Sequence, residues 1–380
     1  MALRALARVN LAAIERNVAR LRSGLAPGTG LCAVVKANGY GHGALPVARV
    51  ALDAGARLLA VATAEEAAEL RADGIEEPVL VMGAISEQEL PVALGAGGEL
   101  VAWTGRFVSD VERALSRSGS APERPVRMHV KLDTGMGRLG TRELAEAVGV
   151  AERIAAAAPA LELAGAMTHF ASADEDPEFT AQQVERFEPF VRALRDRWPG
   201  IVVHAANSAA TLRAPASHFD LVRCGIAMYG CDPMNVDPDA HGLEPALELS
   251  SYVAAVKRAA SGESAGYGRR FIAEAETWIA TVPIGYGDGI RRALTNNLDV
   301  LIAGRRYPLV GTVSMDNITV DVAAPDHVAV GDRVTIIGRD GDGRQTAEEV
   351  ARRIGTINYE IVCGLSPRVS RAYHRDGRPV

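Results

Sequence analysis

The chain has 380 residues, 48% of them apolar, with a slightly positive mean hydropathy, which describes a globular protein large enough for two domains. Its 47 acidic and 41 basic side chains give a net charge of −6 and leave no global electrostatic case for nucleic acid or an anionic membrane, so the expected partners are small molecules or further copies of the chain. The four cysteines (Cys32, Cys224, Cys231 and Cys363) form no CxxC pair and no zinc-like spacing, so no metal is expected and a reduced, cytoplasmic compartment fits best.

The N-terminal stretch from Met1 to Asn10 lacks the unbroken apolar core of a signal peptide. Asn10 reads as the N-cap of a helix carrying Leu11, Ile14, Val18 and Leu21 on one face. No apolar run is long enough to span a bilayer, so a soluble protein is expected. From residue 30 to about 230, eight short apolar or β-branched runs alternate with helical stretches. The runs lie near 30–36, 57–63, 78–82, 99–103, 125–133, 161–168, 200–206 and 219–224. Between them, 64–74, closing on Gly74, and 177–197 carry helical periodicity. Eight strand–helix alternations predict a (β/α)8 TIM barrel over 1–240. A doubly wound sheet is the alternative, but no G-x-G-x-x-G follows the first run. Beyond 240, turn signals separate β-rich stretches near 248–259, 276–284, 298–303, 308–322 and 331–338, which predicts an all-β C-terminal domain over 241–380. One helix interrupts it at 346–354, with Thr346 as N-cap and Glu349 completing a capping box.

In a barrel, the C-terminal strand ends form the active-site mouth. Lys36 would stand there on the first strand, Lys131 and Asp133 on the fifth, His169 on the sixth, Asn207 and Ser208 on the seventh, and Arg223 on the eighth. Gly225 and Ile226, after the last strand, fall where barrels bind phosphate through backbone N–H groups. A lysine amine held among apolar walls can form a Schiff base with a carbonyl cofactor, and a phosphate site opposite it describes pyridoxal 5′-phosphate (PLP). Taken singly, each residue also has a plain reading: Lys36 as a surface lysine, Gly225 as a turn glycine, His169 as a core histidine, Arg223 as a strand-end arginine paired to an acid.

Nine segments, in order and across both domains, resemble the alanine racemase family, PLP enzymes of fold type III. They are 34–43 (VVKANGYGHG), 131–140 (KLDTGMGRLG), 168–171 (THFA), 204–210 (HAANSAA), 222–230 (VRCGIAMYG), 266–269 (GYGR), 283–289 (PIGYGDG), 314–316 (SMD) and 356–360 (TINYE). The resemblance implies that Lys36 holds PLP and acts as the base on the D-face of the substrate, with Tyr267 as the base on the L-face. Two bases on opposite faces are what racemisation needs. A free tyrosine, with a pKa of about 10, is a poor base at neutral pH, and the resemblance gives His169 as its neighbour. It also implies a head-to-tail homodimer in which Tyr267 and the substrate-site Met315 come from the partner subunit, and it gives Tyr286 as an entryway tyrosine. Arg223 would face the pyridine nitrogen and disfavour its protonation, where related decarboxylases place a carboxylate. Arg138 would contact the substrate carboxylate. Lys131 corresponds to a lysine that some members carbamylate to orient that arginine. Tyr40, Ser208, Gly225, Ile226 and Tyr359 form the implied phosphate-binding set, with Asn207 beside them.

Without the resemblance, Met315 also reads as gap-filling core and Tyr286 as a turn aromatic. Phe271, Ser314 and Gly287 depart from the commoner tyrosine, cysteine and alanine, which affects the entryway rather than a catalytic group. The expected function is interconversion of L- and D-alanine, supplying D-alanine for peptidoglycan. The alternatives are a serine or broad-specificity racemase of the same fold, a decarboxylase disfavoured by Arg223, and a non-catalytic PLP carrier.

Overall fold

The computed structural model describes residues 4–117 and 124–380; the first three residues of the N-terminal reading lie outside it. The chain forms two compact units, one of Asn17–Gly39 and Ala44–Met228, the other of Met1–Arg16, Tyr40–Gly43 and Tyr229–Val380.

The first unit is a closed barrel of eight parallel strands, as the sequence predicts. The strands are numbered after β1 (Leu6–Asn10), which belongs to the other unit. They are β2 (Gly30–Val34), β3 (Leu58–Val61), β4 (Val79–Val81), β5 (Glu99–Ala102), β6 (Val126–Lys131), β7 (Leu161–Met167), β8 (Val202–His204) and β9 (Leu221–Cys224). The barrel closes through β2 and β9, which pair in parallel from Gly30 with Leu221 to Ala33 with Cys224. Every residue of β2 to β5 is buried, because strands covered by helices on one side and barrel interior on the other meet no solvent. The helix Ala64–Ala72 starts on a capping box formed by Thr63 and Glu66, and Pro177–Arg195 starts on an Asp176 cap with proline in its first turn. Asn10 accepts from the Ala12 N–H and opens the helix Leu11–Ser23.

In the second unit β1 pairs antiparallel with β10 (Leu247–Tyr252) and parallel with β20 (Ser370–Arg375). These pairs are the middle of a mixed sheet with β15 (Asp299–Ile302), β16 (Arg305–Pro308), β18 (Arg333–Asp340), β19 (Gly343–Gln345) and β21 (Arg378–Pro379). A three-stranded sheet joins β11 (Ala255–Ala259), β14 (Thr277–Val282) and β17 (Ile318–Asp321); a short ribbon joins β12 (Ser264–Ala265) and β13 (Phe271–Ile272). The helix Ala347–Arg353 carries the expected capping box of Thr346 and Glu349. A second helix, Asn358–Cys363, escaped the sequence reading because six residues are too few to show periodicity. The stretch 308–322 is no continuous strand: a loop separates β16 from β17. It bends at Gly311 (φ +77°), where a Cβ would meet the Ala265 carbonyl at 2.6 Å. Among the described residues no helix is long and apolar enough to cross a membrane.

Candidate active site

Lys36 stands two residues past the end of β2, partly buried at the head of a left-handed turn in which Ala37, Asn38, Gly39 and Tyr40 all have φ between 51° and 60°. Consecutive non-glycine residues seldom adopt this conformation, and it persists only where neighbours enforce it. Two side chains do so. The Glu66 carboxylate accepts from the Ala37 N–H at 2.6 Å and the Ala62 N–H at 2.7 Å, and Asn38 Oδ1 accepts from the Ala44 N–H at 3.0 Å where the next helix begins. The capping box of one helix therefore also fixes the backbone that carries the lysine.

Lys131, nearly fully buried, ends β6. Burial, then the charges of Arg223 and Arg138, and finally Lys36 push its amine down to about 8, with Asp133 opposing them. Asp133 organises the loop that follows. Its carboxylate accepts from Gly135 N–H at 3.0 Å, from Gly137 N–H at 3.0 Å and from Arg142 Nε at 3.1 Å. Burial opposes its charge, but these donors hold it below the usual carboxylate range. Gly140 closes the loop, and a Cβ there would stand 2.9 Å from the Asp133 nitrogen. Arg138 is exposed at its tip.

Arg223 is buried on β9, and its hydrogen-bond partners are all neutral. NH1 donates to His204 Nδ1 at 2.8 Å; NH2 reaches the carbonyls of Thr168 at 2.9 Å and Ala205 at 3.0 Å, and His169 Nδ1 at 3.2 Å. Burial lowers its pKa to about 10, so it remains a cation at neutral pH. Burial, and then the charges of Arg223, Lys131, Arg138 and Lys36, hold His169 neutral. Because Nδ1 accepts from Arg223, the imidazole proton of His169 lies on Nε2. Ser208, buried at the start of the helix Ser208–Arg213, accepts from the N–H groups of Gly225 at 3.0 Å and Ala227 at 3.4 Å, and Ile226 is buried between them. The Asn207 side chain caps that helix through the Ala210 N–H at 3.0 Å.

Lys36, Arg138 and Arg223 all act on Lys131, and all four basic groups act on His169, at this end of the barrel. Asp133, the acid whose charge reaches Lys131, is turned toward Gly135, Gly137 and Arg142. Such a balance suits a ligand with more than one negative charge, as a phosphate and a carboxylate together provide.

The second unit holds the remaining expected residues in two groups. Tyr40 packs on Tyr229, ring centroids 5.0 Å apart, and stands 6.2 Å from the ring of Tyr359. Tyr267, Tyr286 and Met315 lie on three short segments tied together by hydrogen bonds to main-chain carbonyls. Thr312 Oγ1 donates to the Tyr267 carbonyl at 2.7 Å, and the N–H groups of Tyr286 and Gly287 reach the carbonyls of Ser314 and Met315 at 2.9 Å. Gly285 permits this approach, since a Cβ would meet the Ser314 carbonyl at 2.3 Å. All three side chains are exposed, Tyr267 by 74% and Met315 by 51%.

The sequence reading missed a polar column inside the barrel. His129 on β6 and His204 on β8 are buried and hydrogen-bonded to each other, and Glu99 on β5 bonds His129. A signal was present: Arg127, His129 and Lys131 alternate along one strand and so share a face.

Models of two family domains match the chain: alanine racemase, N-terminal domain, over residues 9–233, and alanine racemase, C-terminal domain, over 246–373. The chain is 43% identical to the alanine racemase of Geobacillus kaustophilus over 378 residues, covering 97% of this chain and 94% of that one. It resembles the crystal structure of alanine racemase from Bacillus anthracis with bound L-Ala-P, with TM-score 0.90 and 40% identity over 99% of this chain and 96% of that one. It is also similar to alanine racemase from D-cycloserine-producing Streptomyces lavendulae, with TM-score 0.91, 37% identity and 98% of both chains covered.

Proposed function

The chain belongs to the alanine racemase family, and from that premise we propose that it interconverts L- and D-alanine with PLP as cofactor, as a homodimer that builds each site from both subunits. The observation that carries the reading is the cluster of Lys36, Lys131, Arg138 and Arg223 at the C-terminal end of the barrel, with Ser208 and the Gly225 N–H beside the last strands. PLP fits this donor set: Lys36 would bond its carbonyl carbon, and Ser208, Gly225, Ile226, Tyr40 and Tyr359 would hold its phosphate, with Asn207 shaping the helix start beside them. When bound, PLP supplies an electron sink that acidifies the Cα–H bond of an attached amino acid.

The residues then divide the proton work. Lys36 takes or returns the Cα proton on one face, and Tyr267 of a second copy does so on the other. His169, neutral and with its proton on Nε2, can donate to a phenolate but has no lone pair there to take a proton, so its contribution is to stabilise Tyr267 once deprotonated. Arg223, a cation held in place by His204, would face the pyridine nitrogen and disfavour its protonation, which would limit charge delocalisation and favour prompt return of the proton to Cα. Arg138 takes the substrate carboxylate. Lys131, with its amine near 8, is prepared to react with carbon dioxide, and the carbamate would pair with Arg138 where an ammonium repels it. Met315 and Tyr286 border the substrate from the second copy, and the exposure of Tyr267, Tyr286 and Met315 is what a surface awaiting another subunit would show.

A cytoplasmic enzyme supplying D-alanine for peptidoglycan follows from this reading. L-alanine and L-serine incubated with the PLP-saturated protein in heavy water test it by chiral chromatography. Cα-deuterated D-alanine, with D-serine far slower, is the expected outcome; equal rates would favour a broad-specificity racemase, and no D-product would remove the proposal.

A further inference from the structure

Arg223 is one end of a hydrogen-bonded chain that crosses the barrel interior. NH1 of Arg223 donates to His204 Nδ1 at 2.8 Å, His204 Nε2 meets His129 Nδ1 at 2.8 Å, and His129 Nε2 meets Glu99 Oε2 at 2.8 Å. The other carboxylate oxygen, Glu99 Oε1, accepts from Arg127 Nε at 2.7 Å. Both imidazoles are buried, and both ends of the chain carry charge.

The direction of every link follows from chemistry. A guanidinium only donates, so His204 Nδ1 is bare and its proton sits on Nε2. That proton points at His129 Nδ1, which must then be bare, so His129 is neutral with its proton on Nε2, pointing at Glu99. Burial favours a neutral Glu99, but the hydrogen bond from His129 and the charge and hydrogen bond of Arg127 hold its carboxyl below the usual range. The relay runs one way, from cation to carboxylate through two neutral rings.

We propose that Glu99 and His129 are positioning residues: by fixing the tautomer of His204 they hold the guanidinium of Arg223 in one plane. The proposal rests on the reading of Arg223 as the residue facing the pyridine nitrogen, and it assigns control of that contact to a carboxylate on the far side of two imidazoles. Glu99→Gln offers one oxygen instead of two. Arg127 cannot accept, so the oxygen stays with it and the amide N–H groups face His129, forcing donor against donor along the relay. Removing Arg127 in the same chain frees the oxygen to turn back toward His129.

Two-bond ¹H–¹⁵N spectra of ¹⁵N-histidine-labelled holoenzyme read the tautomers directly. His129 and His204 are expected as neutral Nε2–H rings in the wild type, and an Nδ1–H ring at either position overturns the relay without need of any variant. In Glu99→Gln the His129 tautomer should invert or average, the cofactor absorption band should shift, and kcat should fall roughly tenfold with KM for alanine nearly unchanged. Glu99→Gln/Arg127→Met should recover all three. A tautomer change with the absorption band and kcat unmoved, or a double variant no better than the single one, overturns the positioning role. Should the wild type not exchange the Cα proton of alanine, the functional reading fails while the tautomer spectra still decide the relay.

Discussion

His129 on β6 faces Gly165 on β7, and a Cβ built on Gly165 would lie 2.3 Å from Nδ1 of His129 and 2.5 Å from the Val202 carbonyl of β8. The β6–β7 register slips between Met128 and His129, so β7 carries an extra residue where the imidazole needs room. Gly165→Ala must therefore displace either the ring from its hydrogen bond with His204 or the backbone of β8. A loss of roughly 1–3 kcal/mol in urea unfolding is expected. An unchanged midpoint would mean that His129 moves aside at no cost.

The Asp133 loop makes a separate claim about substrate binding. The carboxylate gathers the Gly135 and Gly137 N–H groups and Arg142, and the arc it closes carries Arg138. Asp133→Asn keeps the size of the side chain but turns donors toward donors. Its effect should fall on KM for alanine, raised about tenfold, with cofactor binding retained. The pH sense follows from the lowered pKa: the stabilisation is present above the ordinary aspartate range and is lost as the pH falls through the folded-state value. Equal damage to cofactor binding would show that Asp133 serves the whole barrel mouth.

How much of this was legible beforehand depended on the range of the cause. Each barrel strand was marked by its own apolar run, and the structure ends all eight within a few residues of expectation. The capping box of Thr346 and Glu349 is equally local. β1 was not legible, because Leu6–Asn10 becomes a strand only through partners some 240 and 360 residues away. The Glu99–His129–His204 column escaped for the same reason: three residues on three strands meet only when the barrel closes. Glu66 shows a further limit, since its capping role was available from Thr63, whereas its bond to the Ala37 N–H depends on how the first two barrel strands align.

Lys131 supplies a pH prediction whose sign is fixed. Its amine falls from 10.5 to about 8 on folding, so between those values the unfolded chain binds the extra proton and stability rises with pH. The penalty is complete below about 8. In buffer free of carbon dioxide, Lys131→Met should therefore be more stable than the wild type at pH 7, by up to about 3 kcal/mol. The gap should close toward pH 10.5, and bicarbonate should narrow it at neutral pH by turning the amine into an anion beside Arg138. Unfolding midpoints at pH 7 and pH 10 check this, and a constant gap would exclude Lys131 as its source.

Tyr267 allows the two-base scheme and the shared site to be tested together. Its side chain is 74% exposed, and its loop is held by the Thr312 hydroxyl on its carbonyl, so Tyr267→Phe removes an oxygen without touching a packed core. Cofactor binding and unfolding midpoint should be unchanged. Cα exchange from L-alanine in heavy water should fall by roughly 10²–10⁴. Exchange from D-alanine, which draws on Lys36, should suffer far less, and equal loss from both enantiomers would make Tyr267 a structural residue. Lys36→Ala is inactive for a different reason. If each site takes Lys36 from one copy and Tyr267 from the other, a mixed dimer of the two variants holds one doubly damaged site and one intact site. Activity should then return when the two inactive proteins are unfolded together and refolded, whereas sites built within one chain would stay inactive in every pairing.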